Sequence, residues 1–129
     1  MTEAKLQVLF ANDSTVIPAT FFPDIMGLAV FMKGHPNTSV TLHGHASQVG
    51  PADRNHFLSE GRAEAVKRQL VRDGVSPSRI NNTAYGDREP VTASTEEESH
   101  ILSRRVVANV SATQSDVLEK WTIYSSRDK

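Results

Sequence analysis

Residues 43–70 read HGHASQVGPADRNHFLSEGRAEAVKRQL, and this stretch decides the fold. It begins at the end of a strand, continues as a loop containing glycine and proline, and then takes on helical periodicity over residues 55–72. At about 100° per residue, Arg62 lies between Leu58 and Val66, inside the apolar arc of this helix. The sequence therefore predicts a guanidinium at a position where an apolar side chain is expected.

Two explanations of Arg62 remain open at this point. A partly buried guanidinium keeps its proton, so it needs an acceptor nearby, or its stem packs while its head reaches solvent. The functional alternative is a waiting anion site, because Gly44 and Gly50 let backbone N–H groups approach a ligand. The first turn of the helix adds free donors and the positive end of a dipole. Together these features make a carboxylate pocket plausible.

Hydrophobic spacing indicates the remaining elements. Strands are predicted over residues 5–10, 39–43, 80–85 and 106–110, and a first helix runs from Pro18 to a stop at Gly34. The order is β-α-β-α-β-β, which indicates an α+β fold: a two-layer sandwich with a mixed sheet and helices on one face. The acidic run 96–98 is either a solvated face or the first turn of a short helix.

Composition indicates one ordinary globular domain. The 129 residues are 38% hydrophobic and 22% charged, with a net charge of -1 and no cysteine. This balance gives no attraction to nucleic acid or to an anionic membrane surface, and it excludes disulfides and thiolate chemistry. No stretch is long and apolar enough for a membrane span or a signal peptide. A cytoplasmic protein and a domain cut from a longer chain both remain open.

The spacing of the quoted stretch resembles that of the OmpA-like peptidoglycan-binding domain. The family pattern is Gly-His-Thr-Asp after a strand, then a glycine, an asparagine, Leu-Ser, and Arg-Ala on the helix. The matching residues, in the same order, are Gly44-His45-Ala46-Ser47, Gly50, Asn55, Leu58-Ser59 and Arg62-Ala63.

The resemblance continues further along the chain. Tyr85-Gly86 and Pro90 are similar to the family's Gly-Tyr-Gly-Glu-x-x-Pro segment, and Ser103-Arg104-Arg105-Val106 is similar to its closing Asn-Arg-Arg-Val. The likeness covers about residues 7–110. We therefore predict an OmpA-like domain over residues 1–112, followed by a C-terminal tail over residues 113–129 that can be partly ordered.

Family resemblance implies a function and a location. It implies a non-enzymatic module that anchors an envelope protein in the Gram-negative periplasm by binding the diaminopimelate of the peptidoglycan stem peptide. The parent protein would be associated with the inner or outer membrane, and other envelope proteins are further partners. Carried over by position, Arg62 receives a ligand carboxylate, Asn55 and Leu58 line the pocket, and Arg105 is a second cation near the site.

Ser47 departs from the family pattern, because it occupies the place of the aspartate that receives the ligand's ammonium group. A hydroxyl accepts a hydrogen bond but supplies no charge, and charge-assisted bonds are roughly twice as strong as neutral ones. Asp53, in the same loop, is a substitute anion. The alternative function is a domain whose wall binding is lost or altered, and which serves as an interaction or assembly module in an envelope complex.

Other kinds of site find little support in the sequence. His43 and His45 share one face of a strand, but no third ligand follows at a metal-binding spacing. Ser59, His56 and Glu60 crowd one helical turn, and there is no Gly-x-Ser-x-Gly elbow, so no catalytic residue is assigned. The loop lacks the Gly-Lys-Ser/Thr ending of a phosphate loop. We expect no metal, no cofactor and no enzyme activity.

Overall fold

The computed structural model describes residues 4–112, which form one sheet and the helices that cover it. The strands and helices, in chain order, are β1 Ala4–Leu9, α1 Phe22–Gly34, β2 Thr38–Gly44, α2 Ala52–Arg72, β3 Ile80–Ala84, α3 Glu96–Ser103 and β4 Arg105–Ala112.

The sheet has the strand order β1-β4-β2-β3. β4 pairs antiparallel with β1 on one side and with β2 on the other, while β2 and β3 are parallel. The last strand of the described chain therefore lies between the first two. This order places the C-terminal end of β2, at Gly44, beside Val106 of β4 and Ala84 of β3.

A single apolar core joins the sheet to α1 and α2. Residues of β2 alternate between buried and half-buried, and Val40 and Leu42 face the helices, as period-two patterning requires. α1 contributes Ile25 and Leu28, and α2 contributes Val66 and Leu70 on one face. The core therefore fixes the direction of α2, which carries Arg62.

The predicted fold class is confirmed: the domain is α+β, with a mixed sheet. The elements differ from the prediction mainly at their ends, where α1 begins after a 3-10 turn over Ala19–Phe21 and α2 begins at Ala52. The acidic run 96–98 is the first turn of α3, where Thr95 caps the helix by accepting a hydrogen bond from the Glu98 N–H. The predicted tail, residues 113–129, lies outside the described residues.

No helix in residues 4–112 has the length and apolarity that crossing a membrane requires.

Candidate functional site

A cavity of about 240 Å³ opens where the β1–α1 loop, the β2–α2 loop and the first turns of α2 meet. Four of the residues predicted from the sequence line it. The lining residues are Asn12, Asp13, Ala46, Ser47, Val49, Gly50, Pro51, Arg54, Asn55, Leu58, Arg62 and Arg104.

Close backbone packing brings the β2–α2 loop against α2. A Cβ atom added at Gly44 would collide with the carbonyl oxygen of Ser59, so the strand end can lie on the helix only without a side chain. Gly50 adopts a φ of 88°, a left-handed conformation that glycine adopts without strain. These two glycines shape the loop that forms one wall of the cavity.

Arg62 is the largest of the fully buried side chains, with only 1% of its surface exposed. Its guanidinium donates three hydrogen bonds to backbone carbonyls: Nε to Ser14 at 2.8 Å, Nη1 to His45 at 3.0 Å and Nη2 to Ala11 at 3.2 Å. Arg62 thus joins the β1–α1 loop to the β2–α2 loop. Its acceptors are neutral carbonyls, and neither an internal carboxylate nor a solvent-exposed head accounts for its position.

Within residues 4–112, no carboxylate forms a salt bridge with Arg62. Burial lowers the pKa of its guanidinium to about 10, repulsion by Arg104 acts in the same direction, and attraction by Asp13 opposes it. The ring of Phe10 lies 5.5 Å from the guanidinium carbon and adds a cation–π contact. Since Arg62 is still protonated at neutral pH, an anion in the cavity would be attracted to it.

Besides Arg62, two arginines line the cavity: Arg54, and Arg104, the neighbour of the predicted Arg105. Arg104 donates from Nε to the carbonyl of Phe10 at 3.1 Å, and its side chain is half-buried in the cavity wall. Arg105 instead donates to the carbonyl of Glu89 at 3.3 Å and is absent from the lining residues. Arg104 follows the end of α3 and Arg105 begins β4, and of the two only Arg104 lines the cavity.

Asp13 supplies the carboxylate of the cavity, and sequence reasoning did not identify it. Its φ of 59° is left-handed, a conformation uncommon for residues other than glycine. Its Oδ1 atom accepts hydrogen bonds from Arg54, from Nε at 2.9 Å and from Nη2 at 2.6 Å. Asp53, the predicted substitute anion, is exposed, accepts a bond from the Arg54 backbone N–H and does not line the cavity.

Three other predicted residues complete the cavity wall. Ser47 is 5% exposed and Leu58 is 7% exposed. The Nδ2 group of Asn55 donates to the carboxylate of Asp87 at 3.0 Å and faces the Gly50 carbonyl at 3.4 Å. Asn55 therefore fixes the loop around the cavity while it lines the cavity itself.

A histidine and tyrosine cluster lies behind the β2–α2 loop. The ring of His45 stacks on Tyr85 with centroids 4.9 Å apart, and Nδ1 of His43 lies 3.0 Å from the Tyr85 hydroxyl. Burial, and then the charges of Arg105 and His43, lower the pKa of His45 to about 4. The imidazole of His45 is therefore neutral at neutral pH. Among residues 4–112, no three His, Asp or Glu side chains are grouped so that they could hold a metal.

Comparison with known proteins relates the chain to proteins that are named for the outer membrane and for peptidoglycan. The sequence model of the OmpA family matches residues 9–104. Outer membrane porin F of Pseudomonas fluorescens is 39% identical over 112 residues, which cover 87% of this chain and 34% of the porin. The peptidoglycan-associated lipoprotein of Legionella pneumophila is 33% identical over 106 residues, covering 82% of this chain and 60% of the lipoprotein.

A solved structure agrees with this assignment. The peptidoglycan-associated lipoprotein from Burkholderia pseudomallei superposes with a TM-score of 0.78 at 27% identity, covering 81% of this chain and 89% of that one. The chain thus spans about a third of the length of the porin and 60% of the length of the Legionella lipoprotein.

Proposed function

Because this chain belongs to the OmpA family, we propose that it is a peptidoglycan-binding module that takes the diaminopimelate of a stem peptide into the Arg62 cavity. Members of this family are structural or binding modules and not enzymes. The observation that carries the proposal is the set of three arginines, Arg54, Arg62 and Arg104, that lines a cavity with a single carboxylate, Asp13. Such a lining favours a ligand that carries more negative than positive charge at this end.

The ligand carboxylate would bind at the arginines. Arg62 uses three of its five N–H donors on backbone carbonyls, which leaves two for a ligand. Arg104 uses only Nε on Phe10, so its two terminal amino groups are the more available donors. We therefore assign Arg104 as the main carboxylate ligand, with Arg62 supplying charge from behind it. Arg105 contributes at most a more distant charge.

The ligand ammonium would bind at Asp13. Asp13 lies in the cavity wall, and its side chain is 58% exposed, so a ligand can reach it without unfolding the loop. Both hydrogen bonds from Arg54 go to Oδ1, so Oδ2 is the oxygen that we assign to the ammonium. Ser47 adds a neutral hydroxyl acceptor on the opposite loop. The family pattern places the carboxylate for the ammonium group in the β2–α2 loop, at the position of Ser47. In this proposal Asp13, in the β1–α1 loop, supplies that carboxylate instead.

The cellular setting is part of the proposal. The porin and lipoprotein relatives are named for the outer membrane and for association with peptidoglycan. A module of this kind would act in the periplasm as one domain of a membrane-associated protein, where other envelope proteins are available as partners. The module would hold that parent protein to the cell wall.

Co-sedimentation with purified peptidoglycan sacculi tests the proposal. The wild-type chain should sediment with sacculi, and Arg104→Gln should lower the bound fraction about tenfold, the loss of one charge-assisted contact. Arg72→Gln, which removes an exposed arginine at the far end of α2, should bind as wild type does. Arg62→Ala should also lose binding, but its thermal midpoint must be measured too, because Arg62 joins two loops.

Each outcome has a distinct meaning. Equal loss of binding in Arg104→Gln and Arg72→Gln would show nonspecific charge attraction and would contradict the assigned site. Failure of the folded wild-type chain to sediment would contradict wall binding altogether. That result would favour the interaction or assembly module that Ser47 suggests as the alternative function.

A further inference from the structure

A second cavity, of about 400 Å³, lies on the other side of α2, between that helix and β3. Its lining combines an exposed aromatic ring, small residues and two carboxylates. The lining residues are Phe57, Glu60, Gly61, Ala63, Glu64, Asn82, Thr83 and Ala84. We call this feature the β3 groove. Phe57 is 67% exposed and does not belong to the apolar core, so its ring is available for contact with a ligand.

The β3 groove ends at an open sheet edge. β3 is the outermost strand, and within residues 4–112 no strand pairs with its outer side. Natural edges are commonly protected by lysine, proline or a bulge. β3 reads INNTA and carries neither lysine nor proline, whereas β1, at the opposite edge, carries Lys5.

The backbone groups on that edge can be assigned. The Tyr85 N–H donates to the Gly44 carbonyl, so Tyr85 faces β2, and by alternation residues 81 and 83 face β2 as well. Asn82 and Ala84 therefore direct their backbone groups outward. Arg88 already covers the Ala84 carbonyl at 3.2 Å. The backbone N–H and C=O of Asn82 are therefore the donor and acceptor available to an added strand, and they lie directly beside the groove.

The rim of the groove is acidic. Glu60 and Glu64 lie one helical turn apart, with 59% and 46% of their side chains exposed. On α2, Glu60 lies 3.8 Å from His56 and Glu64 lies 4.0 Å from Arg68, both loose contacts at the exposed surface that a basic ligand can replace. Asn82 donates to Glu64 at 3.2 Å, which holds that carboxylate over the strand edge. A side chain that enters the groove from an added strand would therefore meet Phe57 and two carboxylates.

We infer that the β3 groove binds an extended, basic peptide segment of a protein partner, which adds as a strand to β3. Only an extended backbone matches the alternating donor and acceptor of a strand edge. The segment's apolar side chains would pack on Phe57, and its lysine or arginine side chains would meet Glu60 and Glu64. This site is separate from the Arg62 cavity, so the inference does not depend on wall binding.

A second copy of this chain is a poorer occupant of the groove. Antiparallel pairing of β3 with itself would centre on Asn82, which is bonded to Glu64. The Glu64 side chains of the two copies would then approach each other, and like charges across such a contact are repulsive. The acidic rim thus favours a basic partner over self-association.

A defined probe tests the inference on the full 129-residue chain. The probe is an acetylated, amidated seven-residue peptide of alternating valine and lysine, titrated by NMR. Binding should shift the backbone amide signals of β3 and slow hydrogen exchange at the Asn82 amide. The same peptide with an N-methyl group on every residue keeps its side chains and charge but loses the backbone donors of both edges, and it should bind at least about tenfold more weakly.

Variants provide matched controls. Asn82→Pro removes the outward donor while the β2-facing groups of residues 81 and 83 remain, and it should weaken probe binding about tenfold. Glu60→Gln with Glu64→Gln should weaken binding and reduce its salt dependence. Asp24→Asn removes a carboxylate from α1, away from the groove, and should change neither the affinity for the probe nor its salt dependence.

Two results would overturn the inference: equal affinity for the methylated and unmodified peptides, or no binding of the unmodified peptide by the wild-type chain. If Asn82→Pro fails to fold, hydrogen exchange at the Asn82 amide of the wild-type chain still tests whether the peptide adds as a strand. Slower exchange with the probe supports strand addition, and unchanged exchange contradicts it.

Discussion

At the scale of single residues, Arg62 shows how a buried charge can organise a site. Its three carbonyl bonds reach Ala11 and Ser14 on one loop and His45 on another. An alanine in its place would leave buried carbonyls without a donor, which typically costs about 1–3 kcal/mol for each group. The side chain that attracts an anion to the cavity is therefore also one that keeps the cavity in shape.

His45 makes the stability of the domain depend on pH. Its pKa is about 4 in the folded chain and 6.5 in the unfolded chain, so the unfolded chain binds a proton that the folded chain excludes. Stability is therefore complete above pH 6.5 and falls as the pH drops toward 4. Between pH 7 and pH 5 we expect His45→Gln to lose about 2 kcal/mol less unfolding free energy than the wild-type chain.

Urea unfolding at both pH values measures this difference. His56→Gln replaces an exposed histidine of α2 and serves as the control, and it should follow the wild-type chain. If His45→Gln also follows the wild-type chain, the imidazole of His45 is not excluded from protonation in the fold.

At the scale of elements, the contact between the end of β2 and α2 determines the cavity. Gly44 lies directly on the Ser59 carbonyl, and Ser59 in turn accepts a hydrogen bond from the Gly86 N–H at 2.9 Å. Three segments therefore meet at one point: the strand end, the helix and the loop after β3. The walls of the cavity depend on this packing.

Gly44→Ala should be among the most harmful single substitutions in the domain. The new methyl group meets backbone, which cannot rotate away, so strand and helix must separate. We expect a loss of about 3 kcal/mol in unfolding free energy, together with loss of sacculus binding. Gly27→Ala in α1, where an added methyl group meets nothing within 4 Å, is the control and should be neutral or slightly stabilising. A Gly44→Ala chain as stable as wild type would contradict this packing.

At the scale of the whole molecule, the two proposals place separate recognition surfaces at two cavities that are lined by different residues of α2. The Arg62 cavity is rich in arginine, and the β3 groove is rimmed by glutamate. Opposite charge on the two surfaces favours different ligands, so one ligand should not displace the other.

Independence of the two surfaces is measurable. Saturating valine–lysine peptide should leave the fraction of chain bound to sacculi unchanged, and sacculi should retain the peptide only when the chain is present. Arg104→Gln should abolish this retention while peptide binding in solution persists. Competition between peptide and sacculi would contradict the assignment of two separate surfaces.

The sequence predicts the regular helices and strands well, and it predicts loop conformations and element boundaries poorly. Periodicity was sufficient for the fold and for the position of Arg62, because helix and strand geometry is regular. Asp13 could not be identified from the sequence, since its direction depends on a left-handed φ that no hydrophobic pattern encodes. Arg104 and Arg105 could not be separated, because they lie at the boundary between α3 and β4, and sequence patterns do not fix such a boundary to one residue.

The position of β4 has a consequence for how the chain acquires its shape. β1 and β2 are not neighbours in the sheet that the described residues form: β1 pairs only with β4, residues 105–112, and β4 joins it to β2. A chain emerging from the ribosome or a membrane channel therefore has its first strand unpaired until this late segment follows. Folding must close a loop of nearly the whole domain, which makes it comparatively slow and leaves the nascent chain open to chaperones for longer.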